Sequence, residues 1–337
     1  MNRIDVGWQF HLGEAVGAEA PEYQARGWRT LDLPHDWSIE GAYSEDNPTD
    51  WQSGFLPAGI SWYRKDLGWD PAWEGKRVAV VFDGVYMNSD VWLDGHHLGH
   101  RPYGYVSFCY DLTAYLSSAG PNVLAVRVDH SRARSGRWYT GSGIYRHVWL
   151  RVTDSVHVAP WGVWVTTPEV STERATVHVE TEVVNEREGL SSTTVRQIIL
   201  DDAGVPVATA APVAISLDAG DRATVEQSAD IAAPRLWSPD HPALYRVETV
   251  VMGGDGTRDT VRTTFGIRSI AFNAAWGFRL NGETVKLKGV CNHHAAGPVG
   301  AAVPEGVLAR RLRLLKAMGC NAIRTAHNPQ APEFYDL

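Results

Sequence analysis

Cysteine is scarce in this 337-residue sequence, which limits the covalent and redox chemistry available to it. There are three cysteines, Cys109, Cys291 and Cys320, and none of them forms a Cys-x-x-Cys pair. Three scattered thiols cannot supply a disulfide framework. We therefore expect a protein of a reducing, cytoplasmic environment.

Long apolar runs and an excess of positive charge are also missing. No segment approaches the ~20 apolar residues that a membrane helix requires. The amino terminus, Met-Asn-Arg-Ile-Asp-Val-Gly-Trp, has no apolar signal core. The formal net charge of −8 disfavours a nucleic acid or an anionic membrane as a partner. We expect neither.

Aromatic residues are abundant, with 14 tryptophans and 12 tyrosines. Sugar-binding surfaces use such rings for stacking, but the cores of β-sandwiches bury them equally well. For any single tryptophan the core is the favoured location.

The length predicts two or three domains at roughly 150 residues each. Residues 1–153 contain short strands without helical periodicity, which predicts a jelly-roll sandwich. Residues 154–267 show strand alternation, as in 177–183, and predict an immunoglobulin-like β-sandwich. Residues 268–337 change pattern and predict the start of a (β/α)8 TIM barrel.

The change of pattern is clearest between Val285 and Pro329. Alternation of Val285 and Leu287 with lysines predicts a strand over 285–288. Apolar residues then recur at helical spacing, and Gly319 marks the helix end. Residues 321–325 predict a second strand. Strand, helix and strand together indicate a βαβ unit with parallel pairing.

Polar residues follow each of these two strands. Asn292, His293 and His294 follow the first, whereas Arg324, His327 and Asn328 follow the second. Because the carboxyl ends of barrel strands meet at one face, we expect the two clusters to share a pocket. Imidazole, guanidinium and amide groups offer oriented donors and acceptors that suit a polyhydroxylated ligand.

Two other segments allow more than one interpretation. The glycine-rich and aromatic loop 137–146, which contains Trp138, is either a loop that approaches a ligand or a turn that enters the last sandwich strand. His96, His97 and His100 resemble a metal cluster, but they adjoin an Asp-Gly turn. We interpret them as turn residues.

The motif Asn321 to Pro329 is similar to the Asn-x-x-Arg-x-x-His-x-Pro signature of family 2 glycoside hydrolases, which include β-galactosidases, β-glucuronidases and β-mannosidases. Residues 288–294 resemble the first barrel strand of that family. Residues 33–37 and 82–99 resemble its amino-terminal sugar-binding domain, which implies that residues 1–153 bind sugar. The resemblance implies that His293, Arg324 and His327 contact the sugar. Asn328 could add an amide to this set, and Trp138 could reach it from its loop.

The resemblance also implies an activity, namely retaining hydrolysis of terminal β-glycosidic bonds, with β-galactosides as the expected substrate. β-Glucuronides and β-mannosides are the alternatives within the family, and a non-catalytic carbohydrate-binding or structural protein is the alternative outside it. The catalytic glutamates are expected beyond Leu337, so the chain is interpreted as an inactive amino-terminal fragment. No cofactor is evident, although the resemblance allows magnesium or sodium and leaves a homo-oligomer open.

Two glutamates near the predicted site have a simpler interpretation. Glu305 follows Pro304, and Glu333 follows Pro332, at the predicted starts of helices. Acidic side chains are favourable in the first turn of a helix. We therefore assign neither of them to catalysis.

Overall fold

The computed structural model describes residues 1–132 and 136–337. The described chain divides into two compact units, Met1–Val152 with Lys288–Leu337, and Thr153–Leu287. The strands and helices are β1 (Asn2–Arg3), β2 (Trp8–Leu12), β3 (Arg29–Leu31), β4 (Ile60–Asp66), β5 (Arg77–Phe82), β6 (Ser89–Leu93), β7 (His96–Arg101), β8 (Phe108–Asp111), β9 (Val123–Asp129), β10 (Val148–Thr153), β11 (Val156–Val170), β12 (Arg174–Asn185), β13 (Ser191–Leu200), β14 (Pro206–Thr209), β15 (Val213–Leu217), β16 (Arg222–Ala232), β17 (Tyr245–Gly253), β18 (Arg258–Phe265), β19 (Ile270–Asn273), β20 (Gly277–Leu280), β21 (Glu283–Thr284), β22 (Gly289–Asn292), α1 (Glu305–Ala317), β23 (Ala322–Thr325) and α2 (Pro332–Asp336).

Two antiparallel sheets form the amino-terminal sandwich. One has the order β3-β2-β4-β9-β6-β7 and the other β1-β10-β5-β8. Large side chains from both sheets meet in a single core, including Trp8, Tyr63, Phe82 and Phe108. The alternation that predicted these strands reflects this arrangement, since every second residue faces the core. The all-β sandwich is confirmed.

One prediction within this sandwich is wrong. Asp94 and Gly95 have positive φ angles of 47° and 82° and close a two-residue turn by themselves. Pairing therefore resumes at once, and the three histidines lie in strand β7 rather than in the turn. His97 Nε2 and His100 Nδ1 contact the same oxygen of Asp90, at 2.9 and 3.2 Å.

The second unit is also a β-sandwich. Its sheets have the orders β11-β12-β16 and β14-β13-β17-β18, with β15 added to β13. The predicted alternation over 177–183 is confirmed, because the odd-numbered residues are buried and the even-numbered ones are half-exposed. Gln197 is fully buried, donates to Thr181 Oγ1 and accepts from Thr249 Oγ1. A small three-stranded sheet, β19-β20-β21, follows.

The predicted βαβ unit is confirmed. β22 and β23 pair in parallel, with Gly289 opposite Ala322 and Asn292 opposite Thr325. Helix α1 connects them, and Gly319, at φ 92°, follows its end. No helix of the described residues is long and apolar enough to cross a membrane.

The first strand of this unit begins later than the sequence pattern predicted. Residues 285–288 lie outside any strand, and β22 begins at Gly289. The position is set by the partner strand, because Asn321 bonds both the N–H and the carbonyl of Lys288. A Cβ on Gly289 would lie 2.2 Å from the carbonyl oxygen of Ala322. This close approach depends on the partner strand, and local alternation contains no information about it.

Candidate functional site

The two histidine-bearing clusters meet at one edge of the parallel pair. His293 follows β22 and His327 follows β23, and the pairing of Asn292 with Thr325 places both strand ends side by side. The two imidazole rings are 5.3 Å apart, edge to face at 89°. The predicted convergence of the clusters is therefore observed for these two rings.

Trp138 joins the two histidines from the sandwich. Its ring lies 5.6 Å from that of His293 and 5.0 Å from that of His327. The indole Nε1 donates a hydrogen bond to Tyr105 Oη at 3.0 Å. Of the two interpretations of the loop 137–146, the structure favours the one in which it approaches the strand ends.

Arg324 was predicted to follow the second strand, but it lies within β23, opposite Cys291, because pairing with β22 continues to Thr325. Its positive charge still acts on His293. Its side chain is exposed, and Nη1 lies 3.8 Å from the Sγ atom of Cys291 on the neighbouring strand. Burial, His327 and the charge of Arg324 all lower the pKa of His293. His293 is therefore neutral at pH 7 and offers one donor and one acceptor.

Two buried amides adjoin the site in the sequence, Asn292 before His293 and Asn328 after His327. Asn328 is 5% exposed and Asn292 is 9% exposed. Both amide atoms of Asn328, the Nδ2 of Asn292 and the Nδ1 of His293 have no hydrogen-bond partner among the described residues. A buried polar atom without a partner costs about 1–3 kcal/mol. Such a group of atoms is typical of a binding site, where a ligand supplies the missing bonds.

Asn292 stands out in the sequence only as part of its cluster, and sequence reasoning missed it as a site residue. Its position was the available signal, because it is the last residue of β22, opposite the last residue of β23. The ends of parallel strands are where side chains converge on a ligand.

A buried carboxylate holds the loops of the site together, and sequence reasoning missed it. Asp36 accepts hydrogen bonds from Tyr139 Oη at 2.5 Å, Ser142 N at 2.9 Å and Ala301 N at 2.8 Å. It also accepts one from Ser38 N at 3.2 Å. The only signal was its position within the segment 33–37, which resembles the sugar-binding domain of the family.

Two further contacts join the loop 137–146 to the strand ends. The Nε2 of His294 donates to the carbonyl of Thr140 at 3.1 Å. The Nη2 of Arg146 donates to the carbonyl of Pro329 at 2.7 Å, immediately after Asn328. Both side chains are buried. These two hydrogen bonds hold the loop that carries Trp138 against the segments that follow β22 and β23.

The side chains gathered at this site are not the ones that magnesium prefers. Magnesium prefers six oxygen ligands, mostly carboxylates and waters. This site instead presents the nitrogen-containing imidazole, indole and guanidinium groups of His293, His327, Trp138 and Arg324. Among residues 1–132 and 136–337, no group of three or more His, Cys, Asp or Glu side chains could hold a metal ion.

The nearby glutamates are engaged elsewhere. Glu305 and Glu333 both lie in the first turn of a helix, as predicted. Glu305 accepts a hydrogen bond from Arg3 at 3.2 Å. His147 Nε2 lies 3.8 Å from Glu305 and 3.9 Å from Glu333. Their interpretation as charges at helix N-termini is confirmed.

Three family models match the chain in succession. Residues 2–154 match the sugar binding domain of glycosyl hydrolases family 2, and residues 156–268 match the model described as glycosyl hydrolases family 2. Residues 275–337 match the TIM barrel domain of the same family. The chain belongs to glycosyl hydrolases family 2. The predicted order of jelly roll, immunoglobulin-like sandwich and barrel start is confirmed.

Named relatives and a solved structure agree with this membership. The chain is 46% identical to beta-galactosidase BoGH2A of Bacteroides ovatus, over 99% of its own length and 39% of that protein. It is 38% identical to a putative beta-glucuronidase of Formosa agariphila, over 98% of its length and 31% of that protein.

A crystal structure of a family 2 member from Bacteroides cellulosilyticus superposes with a TM-score of 0.95. The sequence identity is 38%, and the match covers 99% of this chain and 44% of that one. The chain thus spans less than half the length of each of the relatives compared.

Proposed function

We propose that this chain is part of a retaining glycoside hydrolase that cleaves terminal β-galactosidic bonds, and that it supplies the sugar-contacting end of the first two barrel strands. The observation that carries the proposal is the meeting of His293, His327 and Trp138 at the ends of β22 and β23. The 46% identity to a protein named beta-galactosidase supports the choice of sugar.

The site combines hydrogen-bonding groups for sugar hydroxyls with an apolar ring for the face of the sugar. The two imidazoles, the guanidinium of Arg324 and the amides of Asn292 and Asn328 can bond several hydroxyl groups with defined direction. The unpartnered amide atoms would gain the bonds they lack within the described residues. The indole of Trp138 gives an apolar ring beside these polar groups, as sugar sites commonly use.

Hydrolysis itself requires two carboxyl groups beside the anomeric carbon, about 5 Å apart in a retaining enzyme. Glu305 and Glu333 are paired with His147 and, for Glu305, with Arg3. We therefore assign the proton donor and the nucleophile to parts of the enzyme that this chain does not contain. The role of this chain is to bind and orient the sugar.

A β-glucuronide is the second candidate substrate. The observation that favours it is the 38% identity to a putative beta-glucuronidase. A glucuronide carries a carboxylate, which a guanidinium binds well. Arg324 is the cation that acts on His293 in this site. Comparing galactose with glucuronate as ligands of the chain separates the two candidates.

The proposal is tested with the 337-residue chain and methyl β-galactoside in an NMR titration. We expect saturable shifts at the imidazoles of His293 and His327 and at the indole of Trp138. Arg324→Ala should abolish them, whereas Arg174→Ala, an exposed arginine of the second unit, should not. Shifts confined to other residues would contradict the site.

A chromogenic β-galactoside tests the assignment of the carboxylates. We expect the chain to release no more chromophore than a heat-inactivated sample. Clear turnover would show that a catalytic pair lies within the chain. Tight sugar binding without turnover would favour a stand-alone carbohydrate-binding protein.

A further inference from the structure

A small cavity lies beside the segments that follow β22 and β23. Its volume is about 20 Å³, and its lining includes His294, Gln330, Arg146 and Glu333 together with apolar side chains of α1 and α2. About 10–15 Å³ is enough to hold one water molecule. The cavity therefore has room for one water and no larger molecule.

One wall of the cavity provides a hydrogen-bond acceptor. Burial lowers the pKa of His294 to about 4, so the ring is neutral at pH 7. Its Nε2 lies 3.1 Å from the carbonyl oxygen of Thr140, and a carbonyl only accepts. The proton of the neutral ring is therefore on Nε2, which leaves a lone pair on Nδ1. His294 is 5% exposed, and Nδ1 has no partner among the described residues.

Another wall provides a donor. Gln330 is 4% exposed, and its Nε2 has no acceptor among the described residues. Its backbone N–H is already satisfied by Tyr335 Oη at 2.9 Å. The side-chain amide is therefore a buried donor that lines the same cavity as the lone pair of His294.

We propose that this cavity is a binding site for one ordered water molecule, which donates to His294 Nδ1 and accepts from Gln330 Nε2. A water molecule is the ligand of this size that both donates and accepts. A cation would face the guanidinium of Arg146, and an anion would face the carboxylate of Glu333 and the lone pair of His294. Neither a cation nor an anion would therefore be compatible with all four polar side chains that line the cavity.

The bound water links the two halves of the candidate site. His294 directly follows His293, and Gln330 lies two residues after Asn328. The bridge therefore connects the segment after β22 with the segment after β23, alongside the direct bond from Arg146 to Pro329. Buried waters of this kind are costly to remove, since each satisfies polar groups that have no other partner.

A crystal structure of the 337-residue chain, at a resolution that shows ordered solvent, tests the proposal directly. We expect a single spherical density peak within hydrogen-bond distance of His294 Nδ1 and Gln330 Nε2. An empty cavity, a direct bond between the two side chains, or density with the coordination of an ion would overturn it.

A solution experiment tests the same site independently of crystals. Gln330→Met keeps a similar volume but removes the donor, and Gln9→Met makes the same exchange at an exposed position of β2. By 17O relaxation dispersion, Gln330→Met should lose one long-lived water and Gln9→Met none. The 15N shift of His294 Nδ1 should also change only in Gln330→Met. If Gln330→Met retains every long-lived water and the His294 shift, the proposal is wrong, and the crystal structure decides the matter if that variant does not fold.

Discussion

The carboxylate of Asp36 accepts a hydrogen bond from the backbone N–H of Ala301 at 2.8 Å, although 265 residues separate them in the chain. The same carboxylate accepts from Tyr139 and Ser142, which belong to the loop that carries Trp138. One buried side chain therefore joins the sandwich to the loop that follows the first barrel strand. Burial raises the pKa of Asp36, against the effect of its donors.

Replacing Asp36 by Asn should destabilise this compact unit. The amide has one acceptor oxygen instead of two, so one N–H donor is left without a partner. The hydroxyl of Tyr139 can rotate to accept from the new amide, but the N–H of Ala301 cannot. We expect a loss of about 1–3 kcal/mol in the free energy of unfolding, measured with urea. Asp46→Asn, at an exposed position, is the control, and an equal loss in both variants would contradict the role of Asp36.

Gly300 and Gly297, three residues apart in the same loop, form a pair for testing how tightly the loop packs on Asp36. Both have positive φ angles, 61° and 52°. A Cβ at Gly300 would lie 2.4 Å from Asp36 Oδ2, whereas one at Gly297 would meet nothing within 4 Å.

Substitution by alanine should therefore cost about 1–2 kcal/mol at Gly297 because of its positive φ angle. At Gly300 the backbone cost should be about 1–3 kcal/mol, because its ψ angle of −140° places it in a conformation that is almost restricted to glycine. The contact with Asp36 should add about 1–3 kcal/mol at Gly300 alone. Chemical unfolding of the two variants measures the difference. Equal costs would mean that the loop moves freely away from Asp36.

His147 should make the stability of the first unit dependent on pH. Burial lowers its pKa, but the hydrogen bond and charge of Asp5 and the charge of Glu333 outweigh burial, and the pKa is raised. Asp5 Oδ2 lies 2.6 Å from His147 Nδ1. Arg3, Glu305 and Asp83 are the other charged groups around it.

A raised histidine pKa stabilises the folded state below the unfolded pKa of about 6.5. That contribution is lost as the pH rises through the folded pKa. The thermal midpoint of the wild type should accordingly fall between about pH 6 and 8, and His147→Gln should fall less. His241→Gln, on an exposed loop of the second unit, should behave as the wild type. The idea fails if His147→Gln retains the full pH dependence.

Trp138 should contribute to sugar affinity through its ring. Trp138→Ala removes the indole beside both histidines, whereas Trp161→Ala removes an indole that is 65% exposed in the second unit. Losing the apolar contact of one ring face should cost about 1–2 kcal/mol, or roughly tenfold in dissociation constant. Titration with methyl β-galactoside measures it. Comparable weakening in both variants would argue against a specific contact.

The outcomes for particular residues show how far sequence reasoning reaches. The helix that begins at Glu305, the stop at Gly319 and the alternation over 177–183 were predicted correctly, because each depends on neighbours a few residues away. The first barrel strand was placed four residues too early, and three histidines were assigned to a turn rather than to β7. The first error concerns register, which a partner strand determines. The second arose because Asp94 and Gly95 alone close the turn, so that the next strand begins at His96.

The features of the candidate site also fall into two groups, those that the sequence predicts and those that only the structure shows. The spacing of polar residues after two predicted strands is enough to identify His293, Arg324 and His327 as neighbours. The hydrogen bonds of Asp36 to distant loops and the cavity lined by His294 and Gln330 have no comparable signal in the local sequence.

By itself, the sequence determined the strands and helices, their order in three modules, and the motif that brings two histidines to one strand edge. Only the tertiary structure decided that Trp138 reaches those rings, that Asp36 joins the loops, and which buried atoms lack a partner. The physical reason is that periodicity reports interactions within one element. Burial and pairing between residues hundreds of positions apart depend on how the elements pack.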